Sequence, residues 1–230
     1  GIATIARPSG ALVWVHGASV GEMLSVLPLI EGLAKARPDT RILLTSGTVT
    51  SARLAGERLP EGVPHQFVPL DVPAHLERFL DHWRPQLAIF AESELWPNTN
   101  MALKKRGIAS ALVNGRLSAR SAARWRRTPR TISWLLGSFD LCLAQSREDA
   151  ERLKSLGAHH VVFTGNLKLD VPAPEGDETA IAALRQAIDG RDIRVAASPP
   201  EGHAAQPAEA PRHVPRAPPP PPPRTPPRDP

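Results

Sequence analysis

Short apolar runs alternate with longer amphipathic stretches through the first 198 residues of this 230-residue chain. The short runs are continuous and rich in β-branched residues, as expected of strands that are buried on both faces. Strands that alternate with helices indicate βαβ units around a parallel sheet, and right-handed crossovers place helices on both of its faces. The sequence therefore predicts an α/β fold with a Rossmann-like, doubly wound parallel sheet.

Turn residues and changes of periodicity set the bounds of the predicted elements. Eight strands are predicted, at Leu12–His16, Arg41–Ser46, His65–Leu70, Leu87–Ala91, Ala109–Asn114, Leu141–Gln145, Val161–Thr164 and Arg194–Ala197. Seven helices are predicted, at Gly21–Arg37, Val49–Leu59, Ala74–Trp83, Asn98–Arg106, Ser118–Leu136, Arg147–Leu156 and Glu178–Ile188.

The composition changes at Pro199. The last 32 residues contain 14 of the 26 prolines and almost no large apolar side chain, so burial cannot offset the entropy lost in ordering them. We expect residues 1–198 to form a folded domain and residues 199–230 to form a disordered Pro/Arg-rich tail. The six prolines 218–223 favour polyproline II structure within that tail.

Cysteine content and hydropathy exclude several classes of protein. A single cysteine, Cys142, cannot form an intramolecular disulfide or a cysteine zinc site. No apolar run reaches the ~20 residues that span a bilayer, which argues against an integral membrane protein. The histidines lack metal-ligand spacing, so we expect no metal site.

The motif HGASVGE, residues 16–22, lies between the first predicted strand and the first helix. Ligands of doubly wound sheets bind at the carboxyl ends of the strands, so this turn faces the expected crevice. Glu22 falls in the first helical turn, where the helix dipole stabilises a carboxylate. Two interpretations stay open: a general base that takes a proton from a substrate hydroxyl, or an acidic residue that only stabilises the helix.

Two further carboxylates, Glu92 and Glu94, follow the fourth predicted strand. Side chains two residues apart on an extended chain share one face, and paired carboxylates can divide acid and base roles or hold the hydroxyls of a sugar. The alternative is a role at the start of the next helix.

The hydroxyl side chains of the segment 46–51 follow the second predicted strand. They could bind an anion at the helix N-terminus or cap the helix, and capping is the commoner use.

Nucleotide-binding loops of two familiar kinds are absent. The chain contains neither the GxGxxG fingerprint of dinucleotide-binding folds nor the P-loop pattern.

The segment 95–139 contains nine cations and no Asp or Glu. This charge asymmetry predicts an anionic partner, such as a phospholipid surface or a phosphorylated glycolipid. No nucleic-acid-binding motif accompanies it, so we expect no nucleic acid partner. A solvated basic face without a partner is the alternative. The nine cations are Lys104, Lys105, Arg106, Arg116, Arg120, Arg124, Arg126, Arg127 and Arg130.

Six motifs in order resemble one family. They are HGASVGE (16–22), TSGTVTSA (45–52), ESELWPN (92–98), NGRLSARS (114–121), AQSREDAERLKSLGA (144–158) and GNLKLD (165–170). Together they make residues 12–198 similar to the amino-terminal half of 3-deoxy-D-manno-octulosonic acid (Kdo) transferases.

The resemblance implies a GT-B glycosyltransferase with two Rossmann-like halves. The family transfers Kdo from CMP-Kdo to the lipid A precursor in lipopolysaccharide biosynthesis, without a nucleotide-binding metal or other cofactor. It works at the cytoplasmic face of the inner membrane, where its amino-terminal half holds the acceptor and its carboxyl-terminal half holds most of the CMP-Kdo. An anionic membrane surface is therefore a second expected partner.

The resemblance also implies roles for individual residues. The glutamate that ends HGASVGE is the family's general base, which assigns that role to Glu22. The acidic motif that contains Glu92 and Glu94 faces the active site in the family. The remaining motif residues carried over as crevice lining are Ser19, Gly21, Asn114, Arg116, Asn166 and Lys168.

Two departures from the family set further expectations. The hydrophobic amino-terminal anchor of the family has no counterpart here, so we expect peripheral membrane association. After Ser198 the family continues with the pattern that opens the donor domain, whereas this chain continues with the Pro/Arg-rich tail. This difference suggests a reading-frame shift near Ser198. A chain without the donor domain should have little or no transferase activity alone.

Two rival functions stay open. One is another GT-B nucleotide-sugar enzyme, such as a different transferase or an epimerase. The other is a non-catalytic module that binds anionic lipid or nucleic acid through the basic segment and the tail.

Overall fold

A computed structural model describes residues 2–3, 5–171 and 176–188 of the chain. The chain divides into two units, Gly1–Ala173 and Pro174–Pro230. The first unit contains a seven-stranded sheet with helices between its strands. Within the described part of the second unit lies one helix, Glu178–Ile188.

The elements of the first unit alternate along the chain as the sequence predicts. The strands are β1 (Leu12–His16), β2 (Arg41–Ser46), β3 (His65–Phe67), β4 (Leu87–Ala91), β5 (Ala109–Gly115), β6 (Leu141–Ala144) and β7 (Val161–Phe163). The helices are α1 (Val20–Ala36), α2 (Val49–Arg58), α3 (Pro73–Trp83), α4 (Pro97–Lys105), α5 (Ala119–Trp125), α6 (Pro129–Leu136) and α7 (Arg147–Ser155). A 3₁₀ turn, Leu167–Leu169, follows β7, and α8 is the helix of the second unit.

Strand order confirms the doubly wound sheet. All strand pairs are parallel and the order is β3-β2-β1-β4-β5-β6-β7. The inner strand β1 pairs with β2 on one side and with β4 on the other, with His16 opposite both Thr45 and Phe90. The order therefore reverses between β1 and β4, which opens a crevice at their carboxyl ends.

Alternate residues of β1 supply the two cores of the first unit. Leu12 and Trp14 point to one face and belong to the cluster that α3, α4, α5, α6 and α7 cover. Val13 and Val15 point to the opposite face and belong to the cluster beneath α1 and α2. Each fully buried side chain of this kind stabilises the fold by roughly 1.5–3 kcal/mol, so the sheet is held from both sides.

One predicted helix is wrong. The stretch 118–136 forms two helices, α5 and α6, because α6 starts at Pro129. A proline inside a helix has no N–H for the carbonyl four residues earlier, and its ring disfavours the α conformation in the residue before it. Thr128 accordingly leaves the helical region, with φ −128° and ψ 62°.

One predicted strand is shorter than expected. The strand predicted over 65–70 ends at Phe67, because the only strand beside it in the sheet, β2, ends opposite Phe67 at Ser46. The other described strands and helices agree with the predicted bounds to within one residue at each end.

Three predictions fall outside the described residues. These are the strand predicted over 194–197, the disordered tail over 199–230, and the reading-frame shift near Ser198. Among the described residues, no helix is both long enough and apolar enough to cross a membrane.

Gly17, which follows β1, allows helix α1 to start directly against the strand end. A Cβ at this position would lie 2.9 Å from the Met23 backbone nitrogen and 3.0 Å from the Glu22 carbonyl carbon. We predict that Gly17→Ala lowers the free energy of unfolding by roughly 1–3 kcal/mol, because the helix start must shift to make room. Urea unfolding of the chain measures this change.

Gly32→Ala on the exposed face of α1 is the matched control, because a Cβ there meets nothing within 4 Å. We expect it to stabilise the helix by roughly 0.5–1 kcal/mol. Equal effects of the two substitutions would show that Gly17 does not govern the contact between strand and helix.

Candidate active site

Glu22 takes part in the hydrogen bonds that start helix α1. The Ser19 hydroxyl accepts from the Glu22 backbone N–H at 3.3 Å and donates to Glu22 Oε1 at 3.0 Å. Ala18 N–H donates to Glu22 Oε2 at 2.9 Å. These bonds resemble a capping box, so Glu22 stabilises the start of the helix. The same bonds hold the carboxylate at the carboxyl end of β1, where a general base would have to lie.

The turn after β2 packs against the turn after β1. Gly47 N–H donates to the Ala18 carbonyl at 3.1 Å, and Thr48 caps α2 by accepting from Ser51 N–H at 3.1 Å. The Ser46 hydroxyl pairs with His65 Nε2 at 2.9 Å. These hydroxyls therefore serve capping and packing, which is the commoner of the two uses considered for the segment 46–51.

Glu92 leaves the end of β4 in a strained backbone conformation. Its φ is 59°, a left-handed value that costs a non-glycine residue of order 1–3 kcal/mol and that is enriched at functional sites. The Lys168 ammonium lies 2.6 Å from Glu92 Oε1, and the Glu92 side chain is only 13% exposed. The close cation balances the charge of this largely buried carboxylate.

Asn114 ties the loop after β7 to the end of β5. It also has a left-handed backbone, with φ 51°, and it is fully buried. Its Oδ1 accepts from Leu167 N–H at 3.1 Å. Its Nδ2 has no hydrogen-bond partner among the described residues, which leaves a buried donor unused.

Lys168 is brought over the start of α1 by that loop. The position of a Cβ on Gly21 would be 3.9 Å from Lys168 Nζ. Asn166 shapes the loop, because its Oδ1 accepts from Lys168 N–H at 3.0 Å and so caps the 3₁₀ turn. The loop therefore connects the ends of β4 and β5 with the first turn of α1.

Glu94 carries the most perturbed carboxyl group of the site. Burial raises the pKa of Glu94 above its usual value, and the nearby charges of Glu22 and Glu92 raise it further. The Trp96 indole N–H donates to Glu94 Oε2, and this hydrogen bond lowers the pKa in part. Three carboxylates from the ends of β1 and β4 thus interact electrostatically. A raised pKa brings a carboxyl group closer to the range in which it serves as an acid or a base.

His16 is a site residue that the sequence reasoning did not single out. It is fully buried at the end of β1, and burial lowers the pKa of its imidazole to about 4. Its Nδ1 contacts the Thr45 carbonyl at 3.1 Å and the Thr45 hydroxyl at 2.9 Å. Its Nε2 has no hydrogen-bond partner among the described residues and lies 3.9 Å from Glu94 Oε2. The only sequence signal for it is its place as the first residue of HGASVGE.

Arg116 lies on the outer side of the strained turn. Its backbone N–H donates to the Glu92 carbonyl at 3.2 Å, and its side chain is exposed. The guanidinium borders a cavity of about 500 Å³ that shares Glu92 with the carboxylate cluster. Arg116 is therefore next to the cluster rather than within it.

The predicted site residues thus occupy three places. The start of α1 and the ends of β4 and β5 carry Ser19, Gly21, Glu22, Glu92, Glu94 and Asn114, and Lys168 joins them from the loop after β7. Asn166 supports that loop, and Arg116 faces the neighbouring cavity. Among the described residues, no group of three or more His, Cys, Asp and Glu side chains is arranged to hold a metal ion.

We predict that Glu94→Gln raises the melting temperature at pH 7.5. A carboxyl group whose folded-state pKa is raised binds more protons in the native state than in the unfolded state, so its contribution to stability falls as pH rises through that window. Glutamine removes this penalty and still accepts the Trp96 N–H. Below about pH 4.3 the glutamate is protonated in both states, so the two melting temperatures should converge.

Glu61→Gln, a change at an exposed glutamate, is the control and should leave the melting temperature unchanged at both pH values. A Glu94→Gln difference that persists at pH 4, or none at pH 7.5, would contradict the interpretation.

Solved structures share the fold of this chain. The chain aligns with MnaA of S. aureus in complex with UDP at a TM-score of 0.55, with 13% identity over 77% of this chain and 52% of that one. It aligns with UDP-GlcNAc 2-epimerase of Neisseria meningitidis at a TM-score of 0.50, with 13% identity over 77% of this chain and 51% of that one. The chain matches about half of each structure, as expected for one of the two Rossmann-like halves of a GT-B fold.

Sequence comparison identifies the family. A profile described as "3-Deoxy-D-manno-octulosonic-acid transferase (kdotransferase)" matches residues 2–171. The 3-deoxy-D-manno-octulosonic acid transferase of Rickettsia felis is 35% identical over 188 residues, which is 82% of this chain and 40% of that protein. The enzyme of Bordetella pertussis is 34% identical over 208 residues, which is 88% of this chain and 48% of that protein. The chain thus spans less than half the length of these relatives, and it belongs to the Kdo transferase family.

Proposed function

We propose that this chain forms the acceptor-side half of an enzyme that transfers Kdo from CMP-Kdo to a hydroxyl of the lipid A precursor in lipopolysaccharide biosynthesis. The observation that carries the proposal is the carboxylate cluster of Glu22, Glu92 and Glu94 at the reversal of strand order, in a member of the Kdo transferase family. The donor nucleotide is held mostly by a second domain, which corresponds to the part of the relatives beyond the matched region.

The reaction needs a base on the acceptor side. The acceptor hydroxyl attacks the anomeric carbon of Kdo, the bond from that carbon to the CMP phosphate oxygen breaks, and the hydroxyl proton passes to Glu22. The bonds from Ala18 and Ser19 hold the Glu22 carboxylate in one orientation, so little reorganisation is needed when the proton arrives. No cofactor enters, because CMP leaves as part of the donor substrate.

Glu92 and Glu94 have complementary roles in this proposal. Lys168 balances the charge of Glu92, which keeps a cation beside a site where negative charge develops on the departing CMP. Burial and the neighbouring carboxylates raise the pKa of Glu94, which suits this group to hydrogen-bond or exchange a proton with an acceptor oxygen. Glu22 is the carboxylate that accepts the proton in this proposal.

An anionic membrane surface is the second proposed partner. The segment 95–139 carries both cations and exposed apolar side chains, which suits a surface that meets lipid headgroups and acyl chains. Met101 is 55% exposed and borders, with Lys105, a surface cavity of about 470 Å³; Trp134 is 40% exposed. Peripheral association with the cytoplasmic face of the inner membrane follows, with no role for nucleic acid.

A different nucleotide-sugar enzyme of the same fold is the alternative. UDP-N-acetylglucosamine 2-epimerases are among the structures that share the fold, but their identity to this chain is only 12–13%, and likeness at that level carries no function. A panel of CMP- and UDP-sugar donors distinguishes the two assignments.

We predict that Glu22→Gln lowers Kdo transfer by about 10²–10⁴-fold, the usual contribution of a general base. The assay uses a chimera in which residues 2–171 of this chain replace the matched segment of the Bordetella pertussis enzyme. The glutamine oxygen can still accept from Ala18 N–H, and the Ser19 hydroxyl can still accept from the backbone N–H of residue 22, so the fold should survive. The rate constant of transfer from CMP-Kdo to the lipid A precursor is the measurement.

Glu31→Gln on the same helix is the control, because Glu31 is exposed and distant in sequence from the carboxylate cluster. It should leave the rate within about twofold of the parent chimera. An active chimera whose rate is unaffected by Glu22→Gln would remove Glu22 from the mechanism.

We also predict that the 230-residue chain binds vesicles containing the bisphosphorylated lipid A precursor more tightly than phosphatidylglycerol vesicles of equal charge. Cosedimentation at moderate salt measures the two affinities, since salt weakens binding that depends only on surface charge. Equal affinities that fall together with added salt would mean that only the basic surface acts.

A further inference from the structure

A polar cavity beside the carboxylate cluster has no role in the mechanism above. It has a volume of about 500 Å³, within the range of about 300–1,000 Å³ that is usual for small-molecule sites. Its position links it to the cluster, because the Glu92 side chain borders both. The other lining residues are Ser93, Leu95, Arg116, Leu117, Ser118, Ser121 and Trp125.

The lining presents donors that the protein leaves unused. Among the described residues, the Arg116 guanidinium has no ion-pair or hydrogen-bond partner, and the Ser93 hydroxyl and the Trp125 indole N–H have none either. Ser121 Oγ accepts from the Ser118 hydroxyl at 3.1 Å, so its own proton is free to donate. The single carboxylate of the lining, Glu92, is balanced by Lys168. The cavity therefore favours an anionic, oxygen-rich ligand.

The wall that carries Arg116 is held rigidly. Buried Asp149 accepts from Leu117 N–H at 2.8 Å, and the Arg152 guanidinium donates to the Leu117 carbonyl at 3.2 Å. Arg116 N–H donates to the Glu92 carbonyl. These bonds fix the backbone on both sides of the guanidinium, which reduces the entropy lost when a ligand binds.

Trp125 gives the cavity one flat apolar wall. Trp125 packs against the core cluster, is only partly buried and lines the cavity. An aromatic face beside hydroxyl and guanidinium donors matches the chemistry of a pyranose ring with an anionic substituent.

We propose that this cavity is a subsite for an anionic sugar ring, in which Arg116 binds the anionic group, Ser93 and Ser121 bind ring hydroxyls and Trp125 packs against the ring. The identity of the sugar rests on the proposed function, which offers two sources: the phosphate of the glycolipid acceptor and the carboxylate of the transferred Kdo. A sugar in this subsite lies beside Glu92 and hence next to the carboxylate cluster.

The test is calorimetric titration of the full 230-residue chain with three probes. These are the acyl-free glucosamine disaccharide bisphosphate, the same disaccharide without phosphates, and free Kdo. We expect saturable binding of an anionic probe, weaker by about 10-fold or more in Arg116→Ala, because a charge-assisted bidentate contact is lost. The uncharged disaccharide should bind the unsubstituted chain no more tightly than the anionic probe binds the Arg116→Ala variant.

Two further variants separate the subsite from general charge effects. Arg130→Ala removes an exposed cation of the same acid-free segment that does not line the cavity, and should change the affinity by less than about twofold. Arg116→Lys retains the charge without the guanidinium fork and should give an intermediate affinity. Circular dichroism confirms that each variant is folded.

Each outcome supports or overturns the subsite. Arg116-dependent binding of the bisphosphate assigns the subsite to the acceptor, and Arg116-dependent binding of Kdo assigns it to the transferred sugar. Equal losses in Arg116→Ala and Arg130→Ala, or no loss in either, overturn it. The proposed function fails separately, if the chimera transfers no Kdo while an anionic sugar still binds through Arg116.

Discussion

The pairing of β1 with a parallel strand on each side is the constraint on which the rest of the structure depends. The chain runs from β1 outward to β2 and β3 and then returns across β1 to β4, so right-handed crossovers in the two directions place helices on opposite faces of β1. The helices that follow β1 and β4 then diverge, and the carboxyl ends of these strands are left uncovered. Glu22, Glu92 and Glu94 lie at this opening.

Polar groups at the carboxyl ends of β1 and β2 must be satisfied without water. Thr45 provides hydrogen-bond partners for two of them. Its hydroxyl accepts from the Trp14 indole N–H at 2.8 Å, and both its hydroxyl and its carbonyl contact His16 Nδ1. The low pKa of the buried imidazole keeps His16 uncharged at neutral pH, so no buried positive charge accompanies the contact. Two buried nitrogens without a hydrogen-bond partner in the described part of the chain, His16 Nε2 and Asn114 Nδ2, lie at the ends of β1 and β5, near the carboxylates.

The candidate site contains features that lower the local stability of the fold. Two non-glycine residues at the ends of neighbouring strands, Glu92 and Asn114, adopt left-handed backbone conformations, and Glu94 is a carboxyl group held against like charges. Such features persist when the surrounding structure compensates for them. Here the compensation comes from the Lys168 ion pair, the Asn114 bond to Leu167 and the buried sheet.

The sequence by itself determined the parallel sheet, the bounds of most elements and the positions of Glu22, Glu92 and Glu94 at strand ends, because hydrophobic periodicity and turn residues are local properties. The break at Pro129 between α5 and α6 is also marked locally, by the proline, but the amphipathic pattern that continues on both sides of it favours a single helix. Only the tertiary structure joined Lys168 to Glu92, placed His16 beside Glu94 and set Arg116 in the neighbouring cavity. These contacts connect residues up to 78 positions apart in the chain, and strand order, which local sequence does not encode, brings them together.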